Sequence, residues 1–188
     1  MKGMDKRVLL KEEADKAISV PKFITKGGKA KAFYEMDLAK SSDFRIDLCP
    51  YDSIDHDPEF LLRIRISEKR RMKISLHAQE NEMYCCLFRV DFNGPTHTNP
   101  AEENEYVPDV MKPFVGKMIG GNHVHYHVQG FPSGAWAVPV ENDPFPVKRF
   151  ELDDYLNSLR DVVNAVSEFI HLETKIIITG NLIYNEVD

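Results

Sequence analysis

"FLLRIRISEKRRMKISLHAQENEMYCCLFRVDF", residues 60 to 92, decides the fold. Apolar side chains recur at every second position through Leu62, Ile64 and Ile66, then through Met72, Ile74 and Leu76, and once more towards Phe92. A period of two sends successive side chains to opposite faces of a strand, and the charged segments "EKR" and "QENE" serve as turns between the runs. With "FRIDLCP" from Phe44 as the preceding strand, the region predicts an antiparallel meander. Asn93, Gly94 and Pro95 are expected to end it, because Gly and Pro together break a ladder; a polar loop then runs through Glu105.

Outward from the meander the signals alternate between extended and helical. "GNHVHYHVQGF" (residues 121–131) and "AWAVPV" (135–140) are separated by a turn-like "GFPSG" and predict a second hairpin, with Pro139 at a sheet edge or strand end. From Leu152 to Leu172, apolar residues recur at helical spacing behind the acids Glu151, Asp153 and Asp154, which predicts a long amphipathic helix. "KIIITG" with "NLIYN" predicts a final strand or hairpin. At the other end, Asp5 to about Ile18 suits a short helix stopped before Pro21, and "PKFITKGGKAKAF", with Lys22, Lys26, Lys29 and Lys31, suits a solvated loop. The expected fold class is α+β in a single domain over residues 1–188: a mainly antiparallel sheet, open or curled towards a barrel, with one long helix and a short N-terminal helix.

The whole-chain figures bound the function classes. Hydrophobic residues at 43% and charged residues at 29% are ordinary for a globular protein, and a formal charge of −6 excludes non-specific coating of nucleic acid. No apolar stretch approaches the roughly 18 to 20 residues of a membrane span, and the N-terminus has no secretory character, so the expectation is a cytoplasmic protein without a membrane partner. Cys49, Cys85 and Cys86 show no zinc-site spacing and are expected to be reduced thiols. Trp136 and Tyr126 are expected in the core.

Three of seven histidines, His123, His125 and His127, fall at alternate positions in the second hairpin. Strand geometry lines their rings up on one polar face and sends Val124, Tyr126 and Val128 to the core. His123 and His127 would stand roughly 13 Å apart, too far to share an ion bound at about 2.1 Å, so only neighbouring pairs could hold one divalent metal. The metal candidates are His97, His123 and His125, with Asp91 or His77 as further sources of a ligand. Without a metal, imidazoles can act as acid, base or nucleophile near neutral pH.

The stretch "HVHYHVQ" resembles the His-φ-His-φ-His-φ-φ motif of the histidine triad nucleotide hydrolases and transferases, where φ is apolar. That resemblance implies that His125 attacks a nucleotide phosphorus, although Gln129 replaces the last apolar residue and the family's lead-in is missing. Over residues 89 to 140 the chain also resembles an uncharacterised bacterial domain family, through Asn93, Gly94, Pro95, His97, Asn99 and Pro100, then His123 and His125, then Trp136, Ala137 and Pro139. This resemblance implies no activity, only a setting near mobile elements and defence genes, and it couples His97 to the histidine strand.

On the meander, Arg63, Arg65, Arg71, Lys73 and His77 share the expected outer face with Arg89 and Asp91. Like charges on paired strands repel, so an anion, an acidic loop or a partner should compensate them. Arg63, Arg65, Arg71, Lys73, Arg89 and Asn93 are therefore the expected substrate-binding set, and His97, His125 and His123 the expected catalytic set. Two functions fit. The first is a binding protein of a bacterial mobile-element or defence locus that meets another protein through a histidine-lined sheet face. The alternative is a His-dependent, metal-assisted hydrolase of phosphodiesters or nucleotides, such as a nuclease-like toxin or defence component, with nucleic acid or a nucleotide held on the local basic face.

Overall fold

Alternation in the sequence becomes two chemically opposite faces of one sheet. The computed structural model describes residues 8–54, 56–67 and 73–180. A short helix, α1 (Lys11–Ser19), leads to β1 (Lys22–Ile24) and β2 (Phe33–Asp37). The meander follows as β3 (Asp43–Pro50), β4 (Phe60–Ser67), β5 (Lys73–Glu80) and β6 (Cys85–Thr98). The second hairpin is β7 (Met118–Tyr126) and β8 (Ala137–Pro139), and α2 (Tyr155–Phe169) and β9 (Lys175–Thr179) complete the order. Seven strands form one antiparallel sheet in the order β1-β3-β4-β5-β6-β7-β8. The sheet stays open, so the barrel variant is corrected: β1 and β8 are its two edges, and Pro139 ends the outer strand where its missing N–H costs no ladder bond.

One face carries the core. Ile46, Leu62, Ile64, Phe88, Val90, Phe92, Val124 and Val138 are all buried there or packed into the same apolar cluster. The helix α2 contributes Leu159, Val162, Val163 and Val166, the i, i+3, i+4, i+7 stripe that its sequence shows, and Phe169 at its end places its ring 4.2 Å from that of Phe88. Tyr126 joins them edge-on to Phe88 and donates its O–H to buried Asp143. Trp136 is 1% exposed, as its size and apolar body suggest.

Three expectations change on this frame. Asn93-Gly94-Pro95 does not end β6, which runs on to Thr98 and continues to pair with β7 at Gly94↔Gly121 and His97↔Ile119. Asn93 takes φ +52° and donates its N–H to Asn122 Oδ1, so the turn chemistry is absorbed as a bulge instead of a break. The segment after Pro21 is not all solvated loop either: β1 pairs with β3, and β2 pairs in parallel with β9 as a separate two-stranded sheet. The α1 helix begins at Lys11, where Glu13 accepts the Leu10 N–H at 3.0 Å; residues 5–7 of its expected start and "NLIYN" at the far end lie outside the described residues. Cys49, Cys85 and Cys86 are free and buried.

Lys22 is the sharpest departure from that solvated reading. Its side chain is 2% exposed, and its ammonium donates to the carbonyls of Ile18 and Val20 beside the end of α1 and of Ile170 beyond α2. Helix C-termini leave carbonyls without N–H partners, and a cation there satisfies both the bonds and the local negative potential. Burial lowers the Lys22 pKa to about 8. Replacing Lys22 with Met should cost about 1–3 kcal/mol at pH 7, read by urea unfolding. Between pH 8 and the ordinary lysine range the unfolded chain holds this proton more tightly than the native one, so native stability rises with pH across that window. The gap between wild type and Lys22→Met should widen there, and a gap that narrows would contradict the assignment.

Candidate functional site

The second face of the sheet is polar across the middle of β3 to β7, with Leu61 as an apolar exception on β4. The register sets Arg45, Arg63, His77, Arg89 and His125 opposite one another in one cross-strand row. Asp43, Arg65, Ser75, Asp91 and His123 form the next row two residues along. Alternation therefore puts Arg63, Arg65, His77, Arg89, His123 and His125 on the same side. Exposure falls along these rows: Arg45 and Arg65 are exposed, Arg63, His77 and Arg89 are half-buried, and Asp91, His123 and His125 are buried.

The histidine face is thus not open to solvent, contrary to its expected two-sided character. His123 and His125 are 1% and 0% exposed although they sit on the face opposite Val124. The chain between β7 and β8 lies over them, since Gly134 and Ala135 present their carbonyls to the rings of His125 and His97. Asn99 holds this cover in place by pairing with both the N–H and the C=O of Ala137 and with the carbonyl of Phe114. His127 leaves the row altogether. Its Nε2–H donates to Leu9 O at 2.8 Å and its Nδ1 accepts from Cys85 Sγ, so it fastens the N-terminal segment and does not extend the cluster.

His97, His123 and His125 do converge from their separate segments. The His125 ring lies 4.9 Å from each of the other two, edge-on in both cases. A carbonyl oxygen can only accept, so its partner nitrogen must carry the proton. His123 Nδ1–H donates to Gly121 O at 3.0 Å and His125 Nδ1–H to Gly134 O at 3.1 Å, which turns the Nε2 of each ring inward. Both Nε2 atoms face one carboxylate: His123 Nε2 is 3.3 Å and His125 Nε2 3.7 Å from Asp91 Oδ2. A neutral imidazole Nε2 beside a carboxylate is repulsive unless a cation stands with them.

Arg89 supplies a cation. Its Nε is 3.0 Å from Asp91 Oδ2 and its Nη2 donates to His125 Nε2. Burial, with Arg89 and His123 adding to it, lowers the His125 pKa to about 4, and burial with Arg89 does the same to His77, whose Nε2 is buried without a hydrogen-bond partner among the described residues. Both rings are therefore neutral at physiological pH. Cys86, near the same charges, is pushed up to about 12 by burial and is no nucleophile.

The expected basic face is largely compensated from within. Asp43 on β3 accepts both Nε and Nη2 of Arg63, at 2.9 and 2.6 Å, and lies 3.7 Å from Arg65. The acidic element that the row of cations called for is therefore a neighbouring strand. Asn93 is exposed at the bulge, and Arg71 and the Lys73 side chain lie outside the described residues. What sequence reasoning missed is the roof: the carbonyls of Gly121, Gly134 and Ala135 that orient the rings carry no side-chain signature. Gly94 could have been found, because a residue in a turn motif beside a histidine strand invites the question of close approach.

At Gly94 an added Cβ would sit 3.0 Å from Asp91 Cβ and 3.1 Å from His123 Cε1. Neither neighbour can retreat far inside a buried cluster. Gly94→Ala should destabilise the protein by about 1–3 kcal/mol in chemical unfolding and shift the His123 imidazole resonances while leaving the β3–β5 amides in place. An unchanged His123 signal would mean that the glycine does not limit the site.

No curated protein and no solved structure matches this chain. A family model does, over residues 9–173, well beyond the segment from 89 to 140 on which the motif resemblance rests. No helix among the described residues is long and apolar enough to cross a membrane. The chain belongs to that family, whose description is Family of unknown function (DUF6978).

Proposed function

We propose that the protein is a cytoplasmic, metal-assisted hydrolase of phosphodiesters or nucleotides, with Asp91, His123 and His125 as the ligands of a divalent transition metal. The observation that carries the reading is the shared orientation of the two rings: each gives its Nδ1–H to a backbone carbonyl and turns Nε2 towards the same carboxylate oxygen. Metal-bound histidines are oriented in this way by partners on their second nitrogen. The spacing agrees as well. Ligands about 2.1 Å from a tetrahedral ion stand roughly 3.4 Å apart, and the two nitrogens lie 3.3 and 3.7 Å from Asp91 Oδ2, with all three ligand atoms within 4.8 Å of one another.

Two imidazoles and one carboxylate suit zinc and its borderline neighbours, and they leave a coordination position open. A metal held there supplies Lewis-acid chemistry. His97 is the proton-transfer residue of the proposal: its Nε2–H is committed to Ala135 O at 2.8 Å, its Nδ1 keeps a lone pair, and it is half-buried where His125 is closed off. The burial of His123 and His125 favours this reading over one in which the histidine face itself docks on a partner protein.

The partner-binding reading, with its mobile-element or defence setting, draws support from a different place. A cleft of about 940 Å³ beside α1 is lined by Glu13, Asp52, Asp57, Glu59, Glu80 and Glu82 against Lys16, and by Tyr84, which is 75% exposed. That surface would suit a basic protein segment.

Metal analysis and Co²⁺ titration of chelator-treated protein test the first reading. Wild type should bind one equivalent, and Asp91→Asn and His123→Gln should each weaken binding by at least about 100-fold with the fold retained by circular dichroism. Metal-loaded wild type should hydrolyse bis(p-nitrophenyl) phosphate or a nucleotide, and His97→Ala should lower the rate by about 100-fold or more while keeping the metal. Full metal occupancy with no turnover would pass the function to the acidic cleft; no metal in wild type and no effect of the ligand variants would end the metal reading.

A further inference from the structure

The place where the metal is proposed is bordered by a side chain that already behaves as a cation. The Arg89 guanidinium touches two of the three proposed ligands at once, with Nε 3.0 Å from Asp91 Oδ2 and Nη2 donating to His125 Nε2. It balances the same carboxylate that a metal would, and it uses the same His125 lone pair. Both cations cannot hold that lone pair together.

The surroundings of Arg89 let it leave. Its side chain is 29% exposed, while the Asp91 side chain is 3% and those of His123 and His125 are 1% and 0%. One end of the guanidinium thus reaches the surface and the other reaches the cluster. The roof above it is Gly134, where even a built Cβ would remain 3.9 Å from Nη1 and where φ is +71°, a conformation that L side chains rarely adopt. Along the row on the other side lie His77, with its Nε2 unpartnered among the described residues, and then Arg63 and Arg45. A guanidinium turned outward from Asp91 would therefore stand between the metal position and the exposed, cationic end of the row.

We infer that Arg89 occupies the metal's place in the metal-free protein and, once displaced outward by the metal, becomes the receptor for the phosphoryl oxygens of the substrate. This deepens the metal reading and rests on it. A planar guanidinium presents parallel N–H donors that match two oxygens of a phosphoryl group, and it keeps its charge at every accessible pH. The substrate group would be held between the open coordination position and the fork of Arg89. Exchange of one cation for the other also keeps the Asp91 carboxylate compensated in both states.

The test uses the full chain, Co²⁺ as the metal and inorganic phosphate as the anion. Arg89→Gln removes the competing charge, so it should bind Co²⁺ at least tenfold more tightly than wild type and, once loaded, bind phosphate at least tenfold more weakly. Arg89→Lys keeps a charge without the fork: its Co²⁺ affinity should stay near that of wild type while phosphate binding falls. This second variant decides the matter if the glutamine variant does not fold. Wild type that binds Co²⁺ no more weakly than Arg89→Gln overturns the displacement, and phosphate affinity equal in all three proteins overturns the receptor role. Co²⁺ binding by Arg89→Gln but not by wild type would make Arg89 a permanent occupant and overturn the displacement, and no binding by either protein would remove the metal reading and this one with it.

Discussion

The pairing of β6 with β7 is the constraint from which the site follows. In this ladder Arg89 stands opposite His125 and Asp91 opposite His123, so the register alone brings a carboxylate, a guanidinium and two imidazoles within a few ångströms. A slip of β7 by one residue would bring Val124 and Tyr126 to the face of Arg89 and Asp91 and turn His123 and His125 into the core. The apolar face therefore holds the polar face in register. Packing of Phe88 against Phe169 and of Phe92 against Phe150 is, in energetic terms, what pays for a buried charged cluster on the opposite side of the same strands.

Burial changes the chemical character of these groups. In water, histidines two positions apart on a strand would titrate near neutrality and repel when charged. Burial keeps His125 and His77 neutral, and a backbone carbonyl accepts an N–H hydrogen bond from each ring of the central trio. Asp43 plays the corresponding part at the solvent end, where Arg63 and Arg65 meet a carboxylate from the neighbouring strand. The polar face is accordingly a gradient, paired and wet on β3 and β4, closed and nearly dry on β7.

Much of this was legible from local patterns. The four strands of the meander, the second hairpin and α2 are all visible in the periods of their apolar residues, since each is stabilised mainly by one buried face. The convergence of His97 with His123 and His125 is legible only through the resemblance to a domain family in which the Asn93–Pro100 motif accompanies the histidine strand. What stayed hidden depends on long-range partners. Lys22 reads as a surface lysine because its acceptors, Ile18, Val20 and Ile170, are carbonyls at two helix ends, one of them 148 residues away. The strand β2 buries only Met36 among its five residues, and its partner β9 follows α2, so no local alternation announces it. The roof over the histidines is built of backbone atoms, which composition cannot reveal.

Both margins of the large sheet are three residues long, β1 on one side and β8 on the other, and the latter ends in proline. Strands this brief cover only Leu48–Pro50 of β3 and His123–His125 of β7, so the remaining backbone groups of those two strands form the rest of the border. Along β3 that border carries the exposed charges of Asp43, Arg45 and Asp47, which oppose its use as a template for a further strand.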